Sequence, residues 1–137
     1  MADRQPVASY QGSRQLDRYE LIAEIARGGM GTVLLARLAG AGGFQRLFAI
    51  KLMHRYLADD SEFIEMLLDE ARIAARIHHP NVVSIQEVEQ SQEHGYYLVM
   101  DYVEGFTLWD LANALADAPW RQRARIVLRV VIDALQG

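Results

Sequence analysis

Ala26-Arg27-Gly28-Gly29-Met30-Gly31-Thr32-Val33 is the stretch on which the reading turns. Clustered glycines let backbone N–H groups approach phosphates, because no side chain blocks them. An ordinary turn uses glycines too, so the flanks must narrow the choice. Tyr19-Glu20-Leu21-Ile22-Ala23-Glu24-Ile25 before the cluster and Thr32-Val33-Leu34-Leu35-Ala36-Arg37 after it are rich in β-branched and apolar residues, as strands are. A dinucleotide-binding glycine loop runs from a strand into a helix, and a P-loop ends in Gly-Lys-Ser/Thr; neither pattern is present. The expectation is a glycine-rich hairpin between two strands.

Further along the chain, Gly40-Ala41-Gly42-Gly43 reads as a turn and Arg46 to Met53 as a third strand, which makes an antiparallel meander. Asp59 to Ile77 changes period: Phe63, Met66, Leu67, Ile73, Ala74 and Ile77 recur at helical spacing. Asp59, Asp60 and Ser61 suit the N-terminus of that helix as caps and as charges against its dipole. His79-Pro80-Asn81 breaks it. Val82 to Glu89 and Tyr96 to Tyr102 read as two further strands around a polar turn, Gln90 to Gly95. Gly105 closes the sheet region. Thr107 to Ala116 reads as a short helix and Trp120 to Gln136 as a longer one, with Pro119 suited to a first helical turn.

Two charged residues stand out against these patterns. Lys51 shares a strand face with Leu47, Ala49 and Met53. Glu70 falls inside the apolar stripe of the helix. A buried carboxylate costs several kcal/mol unless it is paired, and an inward lysine would pair it. The alternative is that Glu70 sits at the edge of the stripe and reaches water, with Lys51 at an exposed edge. A glycine hairpin, a strand lysine and a helix glutamate, in that order, are more specific together than any one of them.

The constellation resembles the protein kinase superfamily, and in particular the bacterial eukaryote-like serine/threonine kinases. Ala26 to Val33 resembles the kinase glycine-rich loop, and Phe48-Ala49-Ile50-Lys51 the Val-Ala-Ile-Lys strand motif. Glu70-Ala71-Arg72 with His79-Pro80-Asn81 resembles the family's αC helix and its exit. Tyr97 to Gly105 resembles the strand and hinge between the two lobes. The fold implied is α+β: a small lobe of a five-stranded antiparallel sheet plus the αC helix, followed by the first helices of the large lobe. The chain then divides into a flexible leader (1–18), small lobe and hinge (19–105), and the start of the large lobe (106–137), truncated in its second helix.

The resemblance also implies roles. Ala26, Gly28 and Gly31 would cover the phosphates of ATP, and Val33 and Ala49 would pack on adenine. Lys51 would contact the α- and β-phosphates while Glu70 holds it. Met100 would gate the back of the pocket, Asp101 and Val103 would offer backbone groups to the adenine edge, and Thr107 lies near the ribose. Two residues depart from the pattern: Ala26 replaces the first loop glycine, and Phe48 the usual valine. The His-Arg-Asp catalytic loop, the Asp-Phe-Gly metal motif and the activation segment do not occur, so Mg2+ ligands are expected only beyond Gly137. The implied function is the ATP-binding part of a kinase that transfers the γ-phosphate to protein Ser/Thr hydroxyls, the chain as given being inactive. The alternative is a truncated, non-catalytic module that binds nucleotide or a partner.

Bulk composition agrees with a folded domain. The 137 residues are 51% hydrophobic, which suffices for a packed core. A net charge of -4 with scattered basic residues supplies no reason to expect nucleic acid. There is no cysteine, hence no disulfide and no thiolate metal site. His54, His78, His79 and His94 show no metal spacing, and Trp109 and Trp120 read as core or lobe-packing residues. No stretch of the chain is a signal peptide or membrane span, so a cytoplasmic location is expected, with any anchor lying beyond Gly137.

Overall fold

The computed structural model describes residues 14–137, so most of the expected leader lies outside the described residues. Strands β1 (Gln15–Leu16), β2 (Tyr19–Arg27), β3 (Gly31–Ala39), β4 (Gln45–Met53), β5 (Ile85–Ser91) and β6 (Gly95–Asp101) form one antiparallel sheet in the order β1-β2-β3-β4-β6-β5. A single 3-10 turn, Ala41–Gly43, joins β3 to β4, with Gly42 and Gly43 at positive φ. Between β4 and β5 come a one-turn helix α1 (Arg55–Ala58) and α2 (Ser61–Ala74); α3 (Leu108–Ala114) and α4 (Trp120–Gln136) follow the sheet.

Register assigns each strand residue a face, because successive side chains alternate. Leu34, Ile50 and Val99 lie side by side across β3, β4 and β6 and are fully buried. They share one face with Leu16, Tyr19, Leu21, Ala36, Phe48 and Tyr97, and this is the larger core. Tyr19 meets Phe48 edge to face at 5.7 Å, a favoured aromatic arrangement. The other face carries Met53 and Leu98. There α2 lays Ala71 upon them, with Phe63 and Leu67 packed alongside.

The expected count of five strands is corrected to six. Gln15 pairs with Glu20 and Leu16 with Tyr19, which adds a sixth strand. Leu16 is inaccessible to solvent, and burying such a side chain contributes about 2 kcal/mol. A positive φ at Asp17 makes the reversal. Its carboxylate then accepts from the Tyr97 hydroxyl at 2.6 Å. Arg18 donates to Glu87 across the sheet, and the Tyr19 hydroxyl donates to the same carboxylate at 2.9 Å. The bond from Arg18 holds the Glu87 carboxyl below its usual range. Burial, followed by the bond to Asp17, pushes the Tyr97 hydroxyl well above the usual tyrosine value. These contacts come from residues far apart in the chain, so local pattern could not reveal them.

Other elements shift at their ends. Asp60 caps α2 by accepting from the Phe63 N–H at 3.1 Å, while Asp59 is spent on the preceding turn. The helix stops at Ala74, short of Ile77, because Arg76 and Ile77 donate back three residues and tighten the chain. Val82 is held in a turn by its N–H bond to His79 O, so β5 starts at Ile85. Thr107 and Asp110 form a reciprocal capping box that opens α3. Asn81 Nδ2 donates to Asp133 O at 2.8 Å and ties α4 to the turn after α2.

The tryptophans are not core residues. Trp109 and Trp120 are 74% and 68% exposed, and Leu128, Ile132 and Leu135 of α4 are open as well. Among the described residues no element lies across these faces.

Candidate nucleotide site

The glycine hairpin folds as expected between two strands. Arg27 and Thr32 form its last ladder pair, and the Gly28 N–H donates to Gly31 O at 2.9 Å. Gly31 is demanded by close approach: a Cβ there would stand 2.2 Å from Leu52 O. Gly28 and Gly29 face open space. Neither the Gly29 nor the Met30 N–H makes a backbone hydrogen bond among the described residues.

Register then brings most of the expected residues onto one face. Ala26 pairs with Val33, Val33 with Lys51, and Lys51 with Leu98, in one row across the sheet. Ala49 pairs with Met100 in the next row on the same side. This is the face that α2 covers in part. Ala49 is buried, and Val33, Lys51 and Met100 are half-buried. Ala26, Val33 and Ala49 thus lie beside Lys51 on one sheet face.

Lys51 and Glu70 are not brought together. No salt bridge among the described residues includes either one. The helix explains it: Ile64 and Ala71 are its buried residues, while Met66, Glu70, Ile73 and Ile77 are exposed. The stripe facing the sheet keeps Phe63 and Leu67 of the expected one but is rotated toward Ile64 and Ala71, which leaves Glu70 outside it.

The hinge narrows what each residue can offer. The Asp101 N–H donates to Ser84 O at 3.1 Å and so is already engaged. Its carboxylate accepts from Arg46 Nη2 at 2.8 Å and Gln86 Nε2 at 3.1 Å. Val103 is exposed, and its backbone has no hydrogen-bond partner among the described residues. Thr107 Oγ1 is occupied by Asp110 at 2.6 Å in the cap of α3. A groove of about 370 Å³ lies between the His79–Ser84 segment and Asp101 and Val103. A larger open concavity, about 880 Å³, runs along α4 from Pro119 to Val130 and touches none of these residues.

Sequence reasoning missed His54 and Tyr56. His54 Nε2 meets Gly28 O at 3.0 Å, and the Tyr56 hydroxyl donates to Gly29 O. The two rings stack at 5.6 Å. A helix start after Met53 could have been suspected from Arg55-Tyr56-Leu57-Ala58, but nothing in that run signals contact with the glycines.

A twisted antiparallel sheet, with a helix and a glycine hairpin over one face and a hinge leading to further helices, defines a kinase-type small lobe joined to the beginning of a large lobe. Residues 19–136 match the protein kinase domain family, and the chain belongs to it. Over 122 residues it is 42% identical to the tyrosine-protein kinase MasK of Myxococcus xanthus, covering 87% of this chain and 18% of that protein. The serine/threonine-protein kinases PrkC of Bacillus subtilis and PknB of Mycobacterium leprae are 35% and 36% identical, each over 88% of this chain. The chain spans only 18% and 19% of the lengths of those two relatives. The crystal structure of the Mycobacterium tuberculosis PknI kinase domain shares the fold, with a TM-score of 0.60 at 24% identity over 76% of this chain and 40% of that one.

Members of this family in general use ATP with a divalent metal. The described residues are compatible with ATP: Ala26, Val33 and Ala49 share a sheet face with Lys51, Lys51 forms no salt bridge among the described residues, and the Gly29 and Met30 N–H groups make no backbone hydrogen bond. They do not supply a metal centre, since no group of three or more His, Asp or Glu side chains gathers among them. No helix among the described residues is long and apolar enough to cross a membrane.

Proposed function

We propose that this chain is the ATP-binding part of a protein kinase acting on Ser/Thr hydroxyls, with Lys51 as the residue that grips the α- and β-phosphates. The carrying observation is the common face of Ala26, Val33, Ala49, Lys51 and Met100 beside the glycine hairpin. Val33 and Ala49 pack on the adenine, the Asp101 carbonyl and the Val103 backbone meet its edge, and Gly28 and Gly31 keep the phosphate path clear. Glu70 serves Lys51 only after α2 turns about its axis, because the carboxylate now faces solvent. Serine/threonine preference rests on the names of PrkC and PknB, and the name of MasK points the other way.

Isothermal titration of the chain with ATP and with adenosine tests the binding half. Lys51→Ala is expected to weaken ATP by about a hundredfold, the scale of removing one preorganised charge contact, and to leave adenosine unchanged. Equal ATP affinity in both forms removes Lys51 from its role. Phosphoamino-acid analysis of substrate labelled by the gene product that carries this chain decides the residue type. Phosphotyrosine alone overturns the Ser/Thr assignment.

The non-catalytic reading is favoured by one observation, the unpaired Glu70. It predicts nucleotide binding that Lys51→Ala does not affect.

A further inference from the structure

We propose that His54 and Tyr56 are positioning residues for the glycine hairpin, holding its carbonyl groups to one side so that its N–H groups face the Lys51 side. This inference rests on the nucleotide reading given above and deepens it.

Lys51 and Met53 project onto the face that carries Ala71, whereas Leu52 packs with the opposite core. The His54 N–H donates to Met30 O at 3.0 Å, extending the β3–β4 ladder one pair past Gly31 and Met53. Alternation therefore puts the His54 side chain on the Leu52 side, away from Lys51. From there His54 Nε2, carrying the proton, donates to Gly28 O at 3.0 Å. Tyr56, stacked on the His54 ring with 19° between the planes, donates to Gly29 O.

The two peptide units involved are planar and trans, so the C=O and N–H of each point in opposite directions. Pulling Gly28 O and Gly29 O toward His54 and Tyr56 turns the Gly29 and Met30 N–H groups the other way. That is the side of Lys51, where an anion held by its ammonium would lie. Gly28 and Gly29 have nothing within 4 Å of a would-be Cβ, so beyond the backbone bonds from Gly28 N–H to Gly31 O and from His54 N–H to Met30 O the two side chains are what restrain the hairpin tip. A glycine loop without such a restraint populates many conformations and loses that freedom on binding.

The test compares wild type, Tyr56→Phe, His54→Leu and His54→Gln in the full chain, titrated with ATP and with adenosine. Tyr56→Phe and His54→Leu are each expected to weaken ATP about three- to tenfold, the worth of one net hydrogen bond. Adenosine, which has no phosphates, should bind within about twofold of wild type. His54→Gln keeps a donor at the same reach and should restore ATP affinity. Equal weakening of both ligands would mean a merely structural role and overturn the proposal, as would unchanged ATP affinity in both variants.

Backbone 15N order parameters of Gly29 and Met30 in the ligand-free chain supply the second readout. They are expected to fall in Tyr56→Phe and His54→Leu. If wild type binds neither ligand, the nucleotide reading fails by itself, and order parameters unchanged by the substitutions then overturn the clamp as well.

Discussion

Gly31→Ala should destabilise the lobe severely, while Gly28→Ala, three residues away, should not. The new Cβ at Gly31 would stand 2.2 Å from Leu52 O, 3.0 Å from Leu52 C and 3.2 Å from Met53 Cα, all backbone atoms. Against ordinary contact at 3.4 Å, the oxygen is too close by about 1.2 Å. No rotamer change relieves a clash with backbone, so β3 must move off β4 at its first pair. A displacement of that size breaks the bonds that begin here, Gly28 N–H to Gly31 O at 2.9 Å and His54 N–H to Met30 O at 3.0 Å. Two hydrogen bonds at about 1 kcal/mol each give roughly 2 kcal/mol, within the usual cost of overpacking. For a chain of this size that corresponds to a fall of about 6–10 °C in Tm. At Gly28 the added methyl meets open space and φ is not positive, so a change below about 0.5 kcal/mol is expected. Thermal unfolding followed by far-UV circular dichroism measures both. If the two variants melt within a degree or so of each other, close approach to Leu52 is not why position 31 is glycine.

Glu70→Ala is expected to leave stability within about 0.5 kcal/mol of wild type, because the carboxylate is exposed and unpaired; a loss above about 3 kcal/mol in urea unfolding would show a buried pair with Lys51 after all. Alkaline titration followed at 295 nm should show Tyr97 ionising late, since burial and the Asp17 carboxylate raise its value. Its folded value lies above the unfolded one of about 10, so the stability it contributes is present below pH about 10 and lost as pH rises above that. Tyr97→Phe should remove that alkaline loss, and an unchanged profile would refute the assignment.

Strand parity grouped the candidate site residues in the sequence. Alternation along Arg46 to Met53 put Ala49 and Lys51 on one side from composition alone, and pairing with β3 and β6 then brought Val33 and Met100 to the same side. The sheet face is a two-state choice, and a local pattern settles it. The sixth strand was illegible for the opposite reason. Leu16 is a lone apolar residue in a polar leader, and its burial depends on a turn at Asp17 and on Tyr97, eighty residues away. His54 and Tyr56 were hidden likewise, since side chain to carbonyl bonds carry no periodicity.

The helix was the hardest case, and its sequence shows why. Phe63, Ile64, Met66, Leu67, Leu68, Ala71, Ile73 and Ala74 wrap more than half of its circumference. Any stripe drawn through them finds enough apolar residues, so periodicity does not fix the rotation. The sheet does: Met53 and Leu98 accept the small Ala71 at close range, with Phe63 and Leu67 to either side. That contact leaves Met66, Ile73 and Ile77 exposed in line with Glu70. A helix with a second apolar stripe can change its rotation at modest cost only if another surface covers what it uncovers. Whether Glu70 reaches Lys51 therefore turns on what meets Met66, Ile73 and Ile77, and that is a property of the packing around α2 rather than of the ion pair.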